Sequence, residues 1–169
     1  MAERGVVVVT GAAGGIGRAV CHSYQRAGHR VIGLDIDSIG LTALGDGIEQ
    51  IAVDLTDSEA TTRVVSGLAD IDVLIHCAGI TSLGPFVETP LAAFDRVVDV
   101  NLRSAVTATS AALPGLISTR GRIGVLSSVS GFSPLLYRTA YSASKHALHG
   151  FFESLRAELV GDGVSVTMI

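Results

Sequence analysis

The sequence predicts an α/β fold, a doubly wound parallel sheet with helices on both faces. Three observations carry that prediction. Short β-branched runs alternate along the chain with stretches of helical spacing, the pattern of parallel strands joined by right-handed helical crossovers. The first apolar run passes directly through a glycine-rich turn into a helix. Hydrophobic residues make up 48% of the 169 residues and charged residues only 17%, so much of the chain must be buried. This length and composition predict one domain with a sizeable core and argue against disorder.

The first strand is Val6-Val7-Val8-Val9, a β-branched run suited to burial on both faces. Thr10-Gly11-Ala12-Ala13-Gly14-Gly15-Ile16-Gly17 follows at once, and Ile16, Val20, Tyr24 and Ala27 then recur at helical spacing. Residues without a Cβ permit a tight turn and close backbone approach to a ligand. The helix behind them opens with free N–H groups and the positive end of its dipole, a seat for a phosphate. A turn of purely structural purpose is the alternative.

His29–Asp35 reads as a second strand ending in a carboxylate, 18 residues beyond Gly17. That spacing suits an acidic residue bonded to an adenosine ribose, and its charge would repel a 2′-phosphate, favouring NAD over NADP. An ordinary surface aspartate is the alternative. Ser38–Leu44 has room for only a short helix, broken by Gly45 and Gly47. Ile48–Val53 is a third strand, closed by Asp54-Leu55-Thr56-Asp57, with Thr56 or Asp57 capping a helix that runs to Leu68. Ile71–Ile75 is a fourth strand, ending in His76-Cys77-Ala78-Gly79. The small Ala78 and Gly79 either let a flat ring lie against the strand end or form an ordinary turn.

Pro90–Leu116 reads as one long helical stretch opened by Pro90, with Phe94, Val97, Val98, Leu102 and Val106 on its apolar face. Asn101 is a poor residue for its interior. Buried, it disturbs the helix or holds a water; at the surface it does neither. Arg122–Leu126 is a fifth strand leading into Ser127-Ser128-Val129-Ser130-Gly131. A helix over Tyr141–Leu159 and a sixth strand over Val164–Ile169 follow. Ligands of such sheets bind beyond the carboxyl ends of the strands, where the glycine loop, Asp35, Asp54, Ala78, Gly79 and Ser128 all fall.

Tyr141-Ser142-Ala143-Ser144-Lys145 puts a phenol and an ammonium on one helix face. A free phenol titrates near pH ~10, and a fixed positive charge beside it favours the phenolate. The pair then suits general acid–base catalysis near neutrality. Ser128, 13 residues earlier, would offer a hydroxyl to a substrate oxygen. A plain surface pair of Tyr141 and Lys145 is the alternative.

With these residues in order, the sequence resembles the short-chain dehydrogenase/reductase family in its single-domain form, over essentially its whole length. Thr10–Gly17 is similar to that family's Thr-Gly-x-x-x-Gly-x-Gly motif, and Tyr141–Lys145 to its Tyr-x-x-x-Lys motif. The resemblance implies a Rossmann-like fold and a hydride transfer between NAD(P) and an alcohol or carbonyl compound. It implies Tyr141 as acid–base, Lys145 as the residue that lowers its pKa and holds the nicotinamide ribose, Ser128 as the group orienting the substrate oxygen, and Asn101 as holder of a water in a proton relay. It implies a pyrophosphate seat in Gly11, Ala13, Gly14, Gly15, Ile16 and Gly17, a ribose contact in Asp35, adenine flanked by Asp54 and Leu55, and further cofactor contacts at Cys77, Ala78 and Gly79. The expected cofactor is NAD, with NADP less favoured; Gly14 stands where NADP-preferring members carry a basic residue, although Arg18 lies just beyond. His76-Cys77 replaces the family's Asn-Asn, and a thiol cannot make an asparagine's hydrogen bonds. Family members continue past the sixth strand, so the expectation is a fragment with strands one to six present and the last helix and strand absent. A homo-oligomer, dimer or tetramer, is implied through the helix of Asn101 and that of Phe151, Phe152 and Leu155. A non-catalytic nucleotide-binding or scaffold protein of the same fold is the alternative function.

The remaining features are bland. The net charge of −4 offers no attraction to nucleic acid or an anionic membrane. No segment reaches the length of a membrane span, and Met1-Ala2-Glu3-Arg4 opens no signal peptide. Cys21 and Cys77 have neither metal-ligand nor disulfide spacing, as expected of free thiols in a reducing cytoplasm. His146 and His149, a helical turn apart, lack a third metal ligand; His22, His29 and His76 read as solvent-facing or satisfied core residues, and Arg156 and Glu158 as solvated. Gly131-Phe132 and Leu135-Leu136 suggest an apolar wall beside the site, and the substrate itself cannot be read.

Overall fold

In the computed structural model, described for residues 5–68 and 70–169, six parallel strands form one sheet in the order β3-β2-β1-β4-β5-β6. The Met1–Arg4 start discussed above lies outside the described residues. The strands are β1 (Val6–Thr10), β2 (Arg30–Asp35), β3 (Glu49–Ala52), β4 (Ile71–His76), β5 (Arg122–Val125) and β6 (Ser165–Met168). The helices are α1 (Gly15–Arg26), α2 (Ser38–Thr42), α3 (Ser58–Ser66), α4 (Leu91–Val98), α5 (Ser104–Thr119) and α6 (Thr139–Glu158).

The pleat divides the valine run between two cores. Val7 and Val9 point to one face, where they pack with Cys21, Val31, Leu41, Leu44 and Ile75 under α1 and α2. Val8 points to the other and joins Ile32, Leu34, Leu74, Ala108, Leu116, Ile123, Leu148 and Phe152 under α3, α5 and α6. Burial on both faces is why these strands read as continuous apolar runs. Val9 pairs with Gly33 on one side and Ile75 on the other, so β1 is the strand at which the winding reverses. The crevice outside its carboxyl end is the place a ligand enters such a sheet.

Elements differ from the sequence reading mainly at their ends. The α3 helix stops at Ser66, and Asp57, not Thr56, caps it by accepting a bond from the Ala60 N–H at 2.9 Å. Pro90–Leu116 is one helical stretch as expected, but its winding changes partway along. A π-helical turn over Asp99–Arg103 separates α4 from α5, with Asn101 buried at its centre. The extra residue in that turn rotates the downstream face. Val97 is buried as expected, but Leu102 and Val106 are only half-buried, and Ala105, Ala108, Ala112 and Leu116 reach the core instead. Asn101 thus disturbs the helix, the buried outcome that its side-chain chemistry predicts.

Two side chains depart from the expectation: Arg156 is not simply solvated, and His76 is only half satisfied. Arg156 is half-buried; its Nε donates to the Val166 carbonyl of β6 at 2.8 Å while its Nη1 pairs with Glu153 at 2.6 Å. His76 is buried with its Nε2 on Thr109 Oγ1 at 2.8 Å, and its Nδ1 has no partner among the described residues.

Candidate active site

The glycine loop is shaped by its own backbone. Gly11 adopts φ +67°, and a Cβ there would meet the Ala78 nitrogen at 2.5 Å. A Cβ on Gly17 would strike the Gly11 carbonyl oxygen. Both positions therefore require glycine: one to pass beside β4, the other to let α1 start beneath the loop. The first turn of α1 has no side-chain cap and no acidic residue, so its leading N–H groups and dipole face outward unneutralised. A cradle that a Cβ would fill, backed by free amides, suits a diphosphate.

Asp35, at the end of β2, locks this loop. Its Oδ2 accepts from the Ala13 N–H at 3.0 Å and its Oδ1 from the Asp37 N–H at 3.0 Å. Arg18 turns back on the loop, its Nη2 donating to the Ala13 carbonyl at 3.0 Å. Asp54 accepts from the Thr56 N–H and hydroxyl at 2.9 and 2.7 Å, and these bonds hold its carboxyl below the ordinary range.

Gly11, Gly14, Asp35, Asp54, Leu55, Cys77, Ala78 and Gly79 come together along one cleft of about 200 Å³. Ile36, Val53, Thr56, Ile80, Arg96 and Val100 complete its walls, none of which the motifs single out. Arg96 comes from α4, more than forty residues from Asp54, and only the fold brings it near. Ala13, Gly15, Ile16 and Gly17 are not among the cleft's lining. Ile16 is 62% exposed and faces an apolar trough with Val20, Tyr24 and Leu126 on the α1 side. Cys77 keeps its thiol protonated, since burial pushes its pKa up to about 12.

The second group stands on α6. Lys145 is buried; its Nζ donates to the Leu126 carbonyl at 2.7 Å and lies 5.7 Å from the centre of the Tyr141 ring. Burial lowers its pKa from the ordinary lysine range. Asn101 joins three elements: its Oδ1 accepts from the Ile80 N–H at 2.7 Å, and its Nδ2 donates to the Ile80 carbonyl and to Ser144 Oγ, both at 2.9 Å. Ser144, inside the Tyr141–Lys145 spacing, is a participant that sequence reasoning misses, because nothing in the spacing marks it. Ser128 Oγ accepts from the Ser130 N–H at 3.1 Å, and Ser130 Oγ meets Ser142 Oγ of α6 at 3.1 Å.

The two groups meet at Gly79. The direction its side chain would take ends 3.5 Å from Asn101 Oδ1 and 3.9 Å from Lys145 Nζ. A residue of the first cleft therefore faces both polar atoms of the second group. Beyond it, the Gly84 N–H donates to the Tyr137 carbonyl at 3.0 Å and Arg138 Nη1 to Thr81 Oγ1 at 2.7 Å. These bonds tie two loops whose Leu83, Phe86, Leu136 and Tyr137 are exposed.

Residues 5–169 match a family model described as short chain dehydrogenase. Among curated proteins, a short chain dehydrogenase of Pseudocercospora fijiensis is 38% identical over 171 residues, covering 93% of this chain and 55% of that protein. The serine 3-dehydrogenase of Rhizobium radiobacter is 35% identical over 174 residues, covering 98% of this chain and 70% of that protein. The chain thus spans 55% of the length of the first of these relatives and 70% of the second. Among solved structures, one from Beutenbergia cavernae, assigned as an NAD(P)-dependent gluconate 5-dehydrogenase with NADP bound at low occupancy, superposes with a TM-score of 0.92. It is 32% identical, and the match covers 99% of this chain and 71% of that one.

Proposed function

This chain belongs to the short-chain dehydrogenase family, and on that premise we propose that it exchanges hydride between a nicotinamide dinucleotide and a small alcohol or carbonyl compound. One observation carries the reading: Gly79 of the cofactor-shaped cleft faces Lys145 and Asn101 of the Tyr141 group. A dinucleotide lying along the cleft would bring its ring to that junction.

The bound nicotinamide would supply the hydride acceptor or donor. The chain's own residues bind, orient and move the proton. The first amides of α1, with the loop Gly11–Gly17, hold the diphosphate. Asp35 holds the adenosine ribose; a carboxylate has about four acceptor sites, so two backbone bonds leave room for ribose hydroxyls. Asp54 and Leu55 flank the adenine, and the backbone of Cys77, Ala78 and Gly79 lies along the nicotinamide side. Tyr141 takes the hydroxyl proton in oxidation and returns it in reduction. Lys145, one helical turn from Tyr141, binds the nicotinamide ribose, and Ser128 orients the substrate oxygen. Asn101 Oδ1 and Lys145 Nζ face one spot, which supports a proton path between them.

We favour NAD as the cofactor. The Asp35 charge opposes a 2′-phosphate at the end of β2. The exposed Leu83, Phe86 and Leu136 support a substrate with an apolar body. Half-buried Phe94, Val98, Leu102 and Val106, with Phe151 and Leu155 of α6, support pairing of copies through those helices as a homo-oligomer. Free Cys21 and Cys77 fit a reducing, cytoplasmic setting for a single dinucleotide-binding domain.

The test is Tyr141→Phe in the full-length protein, assayed with a substrate found from an alcohol and ketone panel. Turnover is expected to fall at least ~100-fold with NADH affinity kept, the scale of a lost acid–base group. Turnover at the parent rate would refute the assignment, and NADH binding without turnover of any compound in the parent would mark a non-catalytic binder instead.

A further inference from the structure

We propose that His149 is a positioning residue for Ser128, acting through Ser127; the inference rests on the hydride-transfer reading above. On α6, Tyr141, Lys145 and His149 follow one another at four-residue intervals, along one side of the helix. Opposite them run the consecutive residues Leu126, Ser127 and Ser128 at the end of β5. Lys145 Nζ donates to the Leu126 carbonyl at 2.7 Å, and His149 Nε2 meets Ser127 Oγ at 2.6 Å. The helix thus grips two successive residues, and the next residue in line is the proposed substrate-orienting serine.

The turn that carries Ser128 is wound around the imidazole. Its residues Ser128–Gly131 close through the Gly131 N–H donating to the Ser128 carbonyl at 2.8 Å. A Cβ on Gly131 would meet His149 Cδ2 at 2.7 Å, His149 Nε2 at 2.8 Å and Ser127 Oγ at 2.8 Å. Only glycine leaves the notch in which this bond sits. The Phe132 ring then covers the imidazole with centroids 4.2 Å apart. Ser127 is held from its other side as well, its N–H donating to the Ile169 carbonyl at 2.7 Å. With His149 removed, the turn keeps the Ser127 backbone bond to Ile169 and the Ser130–Ser142 bond to α6, so it stays folded, but the bond that holds the Ser127 side chain is lost and Ser128 is less tightly placed against Tyr141. A hydroxyl that must meet a reacting oxygen tolerates little displacement.

The experiment compares His149→Leu, His149→Gln and Ser127→Ala in the full-length protein with the parent and Tyr141→Phe. Glutamine places an amide close to the position of Nε2. His149→Leu and Ser127→Ala are expected to lower kcat about tenfold, with KM for the dinucleotide unchanged. His149→Gln is expected to recover most of that loss, and the double variant His149→Leu/Ser127→Ala to be no slower than either single one. A fall in thermal stability with kcat unchanged would overturn the proposal, as would a glutamine variant as slow as the leucine one. A parent without turnover, or one whose rate survives Tyr141→Phe, would overturn the hydride-transfer reading and this proposal together.

Discussion

On the proposed reading, one carboxylate, Asp35, serves both shape and selectivity. Its two oxygens fix the Ala13 and Asp37 amides, so the loop and the end of β2 hold one conformation before any ligand arrives. On the proposed reading the same charge stands where a 2′-phosphate would come, while Arg18 donates one bond to the Ala13 carbonyl. Replacing Asp35 with alanine removes the repulsion and a ribose acceptor at once. Fluorescence titration of Asp35→Ala is expected to show weaker NADH binding, with the NADPH-to-NADH affinity ratio raised on the order of tenfold, the effect of one unscreened charge at the rim. An unchanged ratio would mean that selectivity resides elsewhere on the cleft.

At the scale of elements, the junctions matter more than the elements themselves. Asn101 closes the π-turn between α4 and α5 by bonding Ile80 twice and Ser144 once, so the loop after β4, the helix break and α6 are clamped by one amide. Losing it would leave the half-buried Ile80 N–H and carbonyl without this partner, and a group so left out of reach of water costs about 1–3 kcal/mol. His76 ties β4 to α5 through Thr109 and packs 5.5 Å from the Phe152 ring of α6. Burial pushes its pKa down to about 3. The folded protein therefore holds His76 neutral, whereas the unfolded chain protonates it below about pH 6.5. The unfolded state then binds the extra proton, and stability is lost as pH falls from about 6.5 towards 3. Denaturant unfolding across that range is expected to show the parent losing up to about 1.4 kcal/mol per pH unit more than His76→Gln. Parallel curves for the two proteins would show that His76 is already protonated in the fold.

The whole molecule gathers its chemistry at one edge of the sheet. The loop after β1, the ends of β2 and β4 and the turn after β5 all open there, and α6 lays Tyr141, Lys145 and His149 across them. Much of this is legible in the sequence. The valine run, the glycine loop, Asp35 and the Tyr141–Lys145 spacing mark strand ends and a helix face, because each is local and each depends on backbone geometry. Less legible are contacts between distant segments. Arg96 of α4 and Val100 of the π-turn reach the cleft only through the tertiary fold, and Ser144 meets Asn101, and His149 meets Ser127, only when α6 docks. The π-turn inside the helical stretch of Pro90–Leu116 is hidden for a related reason: it goes with Asn101 bonds to Ile80 and Ser144 that exist only in the assembled fold. On the proposed reading a dinucleotide bridges the α1 amides and the Tyr141 group. Co-crystallisation of the full-length protein with NADH tests it most directly: the diphosphate should lie on the Gly11–Gly17 loop and the nicotinamide beside Gly79, within reach of the Tyr141 hydroxyl. A dinucleotide bound elsewhere, or a ring turned away from that tyrosine, would contradict it.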